Sequence, residues 1–338
     1  MTVAKRDIVV IGGSAGSHSV LRQIIADLPA DLPASVFIAT HVPTNHPGYL
    51  ADSLAKAGAL RVIQAIDGQP IERGCAYVAA PDHHLLVVDG TVRLGNGPRE
   101  NMTRPAIDPL FRSAALSYGS RTVGVVLSGR MNDGASGLTA IKACGGTAIV
   151  QHPLDAESDQ MPLAALESVD ADRVAAASDL GRAISETVAE DAGAVIECPE
   201  GLPLEVQIAA GSRLGAMALR EIADPSPISC PDCGGVLSEV RGEQPLRYRC
   251  QIGHAMTAEV LAERREDVDE AMRVALRVME ERVTLVTRMA QDARQSARNT
   301  IAELYEGRAE EYARYATILR EAAIASLRGP TPPEREAA

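Results

Sequence analysis

Asp7-Ile-Val-Val-Ile-Gly-Gly-Ser-Ala-Gly-Ser17 decides how the rest of the chain is read. Its apolar run, Ile8 to Ile11, suits a short buried strand, the Gly/Ser cluster suits a tight turn, and His18 to Leu28 repeat apolar residues at helical spacing. Within the turn, Gly12-Gly13-Ser14-Ala15-Gly16 fits G-x-S-x-G, the strand-to-helix elbow that holds a serine hydroxyl out above the end of a sheet. Small neighbours let the backbone bend and a substrate approach. Ser14 is the candidate nucleophile, and Gly13, Ala15 and Gly16 form the elbow around it. A dinucleotide site is disfavoured, because the second glycine of G-x-G-x-x-G is replaced by Ser14 and the next apolar run, Ser35 to Thr40, ends at His41 without an acid.

Composition narrows the setting. At 338 residues and 46% hydrophobic, the chain has room for one large domain and a smaller one. No run of about 18 apolar residues exists, and Lys5, Arg6 and Asp7 stand where a secretory signal would have its apolar core, so a cytoplasmic protein without a membrane span is expected. A formal charge of −12 would repel phosphate backbones, which argues against nucleic acid as a partner. Three of the six cysteines are grouped, which suits one metal site in a reducing compartment better than a disulfide framework. Cys75, Cys144 and Cys198 read as small buried hydrophobes.

From residue 7 to about 195, strand and helix patterns alternate. Val36 to Thr40, Arg121 to Leu127 and Gly146 to Gln151 read as strands, and Leu50 to Lys56, Leu110 to Tyr118 and Ala135 to Cys144 as helices. Asp108-Pro109 reads as the N-cap and first turn of its helix. Between Arg61 and Gly95, Cys75 to Ala80 and His84 to Asp89 suggest a hairpin excursion. The pattern predicts an α/β domain over residues 1–195 with a doubly wound, mostly parallel sheet. In such sheets, ligands gather at the carboxyl ends of the strands. Ser14, His41 and Asp133 all fall there, and together they supply a nucleophile, a base and a carboxylate to orient the base. His84 and His152 also lie beside strands, and His46 and His83 are less well placed.

The motifs Ile11-Gly-Gly-Ser-Ala-Gly16, Thr40-His-Val-Pro43, Ala76 to His84, Thr103-Arg-Pro-Ala-Ile-Asp-Pro-Leu-Phe-Arg-Ser-Ala114 and Val125 to Ala135 occur in one order. In this they resemble the catalytic domain of the chemotaxis protein-glutamate methylesterase, CheB. The resemblance implies hydrolysis of glutamate methyl esters on the cytoplasmic helices of chemoreceptors or a related signalling protein, with glutamine deamidation in many members. It implies Ser14, His41 and Asp133 as the catalytic three, and no cofactor for catalysis. Arg104 and Arg112 become candidates for docking an acidic receptor helix. Many members carry threonine where this chain has Ala15, and Gly-Met-Gly where it has Gly129-Arg130-Met131. The larger side chains are expected to crowd the oxyanion site, which leaves a low-turnover interaction or scaffold protein as the alternative function. Few residues precede the first strand, so control by a receiver domain in cis is expected to be absent.

The remainder is expected to have a different character. Residues 196–227 read as a linker with one short helix from Ala209 to Glu221. Over residues 228–257, Cys230-x-x-Cys233 and, after a hairpin-length spacing, Cys250-x-x-x-His254 supply a closed tetrahedral set for a structural zinc ion. Arg241, Arg247 and Arg249 are offset by Asp232, Glu239 and Glu243, which points to a protein-facing or stabilising ribbon. Residues 258–327 read as two long helices, Ala258 to about Gln295 and Thr300 to about Leu327. The first has a seam of Met272, Ala275, Met279, Val283, Val286 and Ala290, and the second one of Ile301, Tyr305, Tyr312, Tyr315, Leu319 and Ala322. An antiparallel hairpin is expected, with a coiled-coil homodimer as the alternative, and residues 328–338 read as a disordered tail.

Overall fold

Ile8–Gly13 (β1) is buried along its whole length because a strand pairs with it on either side and helices cover both faces. The computed structural model describes residues 4–41, 49–212, 216–242, 244–263 and 266–327. After β1 come Ser17–Asp27 (α1), Ser35–Thr40 (β2), Tyr49–Ala55 (α2), Arg61–Gln64 (β3) and Cys75–Val78 (β4). His84–Val88 (β5), Thr91–Gly95 (β6), Ile107–Tyr118 (α3), Thr122–Val126 (β7), Ala135–Ala143 (α4) and Thr147–Gln151 (β8) follow. Gln160–Ser168 (α5), Arg173–Ala175 (β9) and Ala177–Ala189 (α6) complete the α/β part. Seven strands form one all-parallel sheet in the order β3-β4-β2-β1-β7-β8-β9. Strands buried on both faces need continuous apolar runs, which is why Val9 to Ile11, Val36 to Ile38 and Val125 to Leu127 carry no alternation. Phe111 of α3, Leu138 of α4 and Met161 of α5 pack on one face. On the other lie Leu21 and Ile24 of α1, Leu54 of α2 and Ile184 of α6.

The hairpin excursion has different partners from those expected. Cys75–Val78 belongs to the main sheet, whereas β5 pairs antiparallel with β6. The turn between them is Asp89-Gly90, both at positive φ, the Asp-Gly signature of a two-residue hairpin. Cys144 and Cys198 are joined as a disulfide with their Cα atoms 4.7 Å apart, rather than sitting as separate buried hydrophobes. The chain after α6 runs back beside Ala115 and brings Cys198 to the end of α4. Cys75 is buried with its thiol free.

The expected linker is folded. Leu202–Ala210 (α7) and Ala216–Ile222 (α8) are two helices, separated where Gly211 turns left-handed. Ala223–Ser229 (β10) then opens a four-stranded antiparallel sheet with Val236–Val240 (β11), Arg247–Cys250 (β12) and Ala255–Thr257 (β13), followed by Ala258–Glu263 (α9). Arg247 and Arg249 lie on one face of β12 by the two-residue period and are fully buried, not solvated. Arg247 makes a bidentate pair with Glu205 of α7, at 3.0 and 2.9 Å. Arg249 reaches Glu205 at 2.8 Å and Glu100 at 3.1 Å, and Arg112 of α3 also pairs with Glu100. Arg112 is therefore structural and cannot dock a receptor helix. Burial alone would neutralise these acids, but the surrounding guanidinium groups keep Glu100 and Glu205 ionised below the usual carboxylate range. Breaking such a buried network strands an uncompensated charge, so it fixes the small sheet to the α/β core.

The chain forms two compact units, Met1–Leu261 and Ala262–Ala338. In the second, Glu266–Gln295 (α10) and Asn299–Leu327 (α11) form the antiparallel hairpin, bridged by Arg320 to Glu280 at 2.7 Å and Arg294 to Glu306 at 2.9 Å. Over the helix expected to begin at Ala258, α9 is described up to Glu263 and α10 from Glu266, and residues 264–265 lie outside the described residues. The α10 seam is the expected one. On α11, however, Ile301, Tyr315 and Ala322 are exposed, and the shielded positions are Ala302, Tyr305, Ala309, Tyr312, Ala316, Leu319 and Ala323. Alanines seven residues apart form four of those seven positions, and a reading weighted towards large apolar residues passes over them. The expected disordered tail, 328–338, lies outside the described residues.

Candidate active site

Ser14 follows the last residue of β1, His41 follows the last of β2, and Asp133 lies in the loop from β7 to α4. Those three strands are neighbours in the sheet, so the three side chains emerge at one rim. The elbow is tied from both sides. The Ser14 N–H donates to the Ser128 carbonyl at 2.9 Å, and the Ser128 hydroxyl donates to the Ala15 carbonyl at 2.7 Å. Gly16 sits at φ +78, and a Cβ there would come within 2.7 Å of the Ser128 hydroxyl oxygen. Gly13 is as confined, since its Cβ would meet the Ser17 Cβ at 2.5 Å. The elbow thus needs glycine for both conformation and close approach.

Asp133 is 1% exposed and its carboxylate is fully engaged. Oδ2 accepts from His41 Nε2 at 2.7 Å and from the Ile107 N–H at 2.7 Å, while Oδ1 accepts from Asn101 Nδ2 at 2.9 Å and the Asp108 N–H at 3.2 Å. Burial pushes its pKa up, but the His41 bond and these backbone and amide donors outweigh it and hold the group at about 2. The imidazole therefore faces a fixed negative charge. Asp133 also occupies the first turn of α3, where helix N–H groups favour an anion. Asp108 does the reverse. It is not the cap of its own helix, since α3 begins at Ile107, and its Oδ1 instead accepts the Gly134 and Gly137 N–H groups at 3.0 and 2.7 Å at the start of α4. Burial, then the nearby Asp133 charge, raise it to about 7.

A cavity of about 400 Å³ opens beside the pair, lined by Ser14, His18, Thr40, His41, Tyr49 and Leu50. Larger cavities, such as one of about 450 Å³ beside Thr139 and Arg241, lie away from this rim. Met131 does not crowd it. Its side chain packs instead against the core of the small sheet, and Arg130 is exposed, so neither lines the cavity. The other histidines have local work. His84 is fully buried, bonds the Pro98 carbonyl at 2.9 Å, and is held below its usual pKa chiefly by burial. His152 accepts the Leu154 N–H, His83 bonds the Pro81 carbonyl, and His46 lies outside the described residues. Arg104 is committed to Asp82 at 2.8 Å. Asn101, Ser128 and Asn132, which support the site, were not singled out by sequence. Asn101 and Met102 both take positive φ, and an asparagine just before the Thr103-Arg104-Pro105 motif was the available signal, since asparagine tolerates that conformation.

Residues 9–184 match the model of the CheB methylesterase family. The chain belongs to that family. A putative protein-glutamate methylesterase/protein-glutamine glutaminase of Leptospira interrogans is 37% identical over 169 residues, covering 50% of this chain and 88% of that one. A protein-glutamate methylesterase/protein-glutamine glutaminase of Anaeromyxobacter dehalogenans is 36% identical over 183 residues, covering 54% of each. Among solved structures, the Thermotoga maritima CheB methylesterase catalytic domain superposes with a TM-score of 0.51 at 33% identity, over 55% of this chain and 99% of that one. The stretch matched to the CheB family model contains Ser14, His41 and Asp133 and ends before the small sheet.

Outside that stretch, Cys230, Cys233, Cys250 and His254 bring their ligand atoms within 4.8 Å of one another. The Cys230 and Cys250 sulfurs stand 3.7 and 3.5 Å from His254 Nδ1, and Cys233 and Cys250 are 3.7 Å apart. A tetrahedral zinc site has sulfur–sulfur edges of about 3.7 Å and sulfur–nitrogen edges of about 3.5 Å, from its bond lengths of roughly 2.3 and 2.0 Å. The four residues fit a metal ion of that kind.

Proposed function

We propose that the protein is a protein-glutamate methylesterase that also deamidates glutamines, acting on the cytoplasmic helices of chemoreceptors or a related signalling protein. The observation that carries this reading is the 2.7 Å bond between His41 and the ionised Asp133 at the rim that also presents Ser14. Because Nε2 is given to Asp133, Nδ1 is the nitrogen left to take the Ser14 proton. The Ser14 oxygen attacks the ester carbonyl, and the tetrahedral oxyanion is met by N–H groups of the elbow at Ala15 and Gly16, ahead of the α1 N-terminus. Neither of these N–H groups has an acceptor among the described residues. Collapse breaks the ester C–O bond, and the imidazolium returns its proton to the departing methoxide. Water, deprotonated by His41, then releases the glutamate carboxyl from Ser14. A glutamine side chain would follow the same course with ammonia leaving.

The four-ligand cluster holds zinc as a structural ion, with every ligand position filled by protein and no part in the ester chemistry. No helix among the described residues is long and apolar enough to cross a membrane, and we place the protein in the cytoplasm, where the receptor helices are reached. Exposed Leu285, Leu304 and Ile318 on the helical hairpin favour a homodimer through those helices.

Methanol release from methyl-labelled receptor membranes tests the reading. The native chain should release methanol, and Ser14→Ala and His41→Ala should lose release by at least about 100-fold. A native chain that binds methylated receptor helices without releasing methanol would establish the scaffold alternative instead.

A further inference from the structure

Two asparagines flank Asp133, and both are held by the small sheet. The Asn101 side chain spends its amide N–H groups on Asp133 Oδ1 at 2.9 Å and Asp108 Oδ2 at 3.1 Å. Its Oδ1 accepts the Thr257 N–H at 3.2 Å, and its backbone N–H donates to the Ala255 carbonyl at 2.8 Å. Asn132, adjacent to Asp133 in the chain, accepts the Thr257 hydroxyl at 2.7 Å and donates to Glu259 at 2.7 Å. Thr257, Asn132 and Asn101 are all buried. Met102 and Met131, both at positive φ, pack on the apolar core of the same sheet. Hydrogen bonds therefore run from Ala255, the neighbour of His254, through Asn101 to Asp133 and on to His41.

We infer that β13 and the start of α9 are working parts of the esterase site, so that metal occupancy of the Cys230, Cys233, Cys250 and His254 cluster sets turnover at Ser14. This rests on the esterase reading above. Spatial continuity alone does not establish coupling; a two-state element is also required. The small sheet supplies one. The buried Arg247 and Arg249 pairs keep β12 docked, but Cys230 and Cys250 are two of the six buried residues of the cluster beside β13, so that without the ion the turns at 230–235 and 250–254 lose the cross-link that orders β13. When it loosens, Asn101 and Asn132 lose their outer partners, and the left-handed Asn101-Met102 turn loses its support. Asp133 then loses one of its donors and its fixed position against His41. Thr257 is a positioning residue in this account, since its hydroxyl touches Asn132 and the Val260 N–H but no reacting atom.

The test uses the full chain and two readouts. Chelation that removes one zinc per chain should lower kcat on a glutamyl methyl ester peptide by on the order of tenfold to a hundredfold with KM little changed, and added zinc should restore it. Hydrogen exchange should accelerate at least tenfold at the Ile107 and Asp108 amides, which donate to Asp133, while β1 and β7 stay protected. Thr257→Val should keep its zinc and lose kcat, and Thr257→Ser should recover it. Metal removal that exposes residues 247–257 to exchange while leaving kcat and the Ile107 and Asp108 amides unchanged would overturn the inference, as would a purified chain whose small sheet is protected without any metal. If the native chain is inert towards esters, the esterase reading fails and the exchange result alone decides whether the sheet positions Asp133.

Discussion

Two carboxylates separated by one asparagine amide divide the labour around His41. Asp133 is kept ionised by its donors, whereas Asp108, facing that charge in a buried setting, holds a proton up to about pH 7. In the unfolded chain Asp108 would ionise near pH 4, so between about pH 4 and 7 the folded state binds the extra proton. Stability from this group is complete below that window and is lost as pH rises through it. Urea unfolding should show the native chain losing a few kcal/mol relative to Asp108→Asn between pH 4.5 and 7.5; parallel pH curves would refute the assignment. Met131 offers a second residue-level test. It sits at φ +62, which costs a side-chain-bearing residue about 1–2 kcal/mol, and the packing of its side chain on the small sheet offsets that cost. Met131→Ala keeps the strain and loses the packing, so thermal unfolding should find it less stable than Met131→Gly by about 1 kcal/mol. The opposite order would mean that the contact with the small sheet carries no weight.

At the level of elements, what was legible followed the periods of buried structure. The strand–elbow–helix stretch, the other core strands of the parallel sheet and the Cys/His spacing were all readable because each is local or repeats at a fixed interval. Partner choice was not. Cys75–Val78 and His84–Val88 are equally strand-like, and only the Asp89-Gly90 turn shows which of them enters the hairpin. Arg247 and Arg249 look like surface charge until Glu205 and Glu100, 42 and 149 residues away from their respective partners, are brought against them. The same limit applies to α11, where small residues, not large ones, mark the contact face. Ala316→Leu should force α10 and α11 apart and cost about 1–3 kcal/mol, seen as a lower melting temperature of the helical signal, while Ala322→Leu at an exposed position should change little. Equal effects at the two positions would contradict the observed seam.

Across the whole molecule, the stretch matched by the family model carries the parallel sheet, the elbow and the three candidate catalytic residues, and the added sheet accounts for one departure from the expected pattern, Met131. Met131, where the resemblance leads one to expect glycine, packs on the apolar core of the small sheet and does not line the cavity. The buried charges join Glu100 and Arg112 of the α/β part, Glu205 of α7, and Arg247 and Arg249 of the small sheet into one network, so the catalytic domain and the Cys/His sheet are a single folded object. Reading the two as separate modules joined by a linker missed this because buried charged and polar residues, which sequence assigns to solvent, make much of the interface.

The most direct test of the account is the rate at which an organophosphonate ester modifies Ser14, followed by mass spectrometry of the peptide that carries it. The native chain should be modified at Ser14 with one label per chain, and His41→Ala should slow the reaction by at least about 100-fold. Labelling elsewhere, or an unchanged rate at Ser14 in His41→Ala, would contradict the claim that His41 and Asp133 activate this serine.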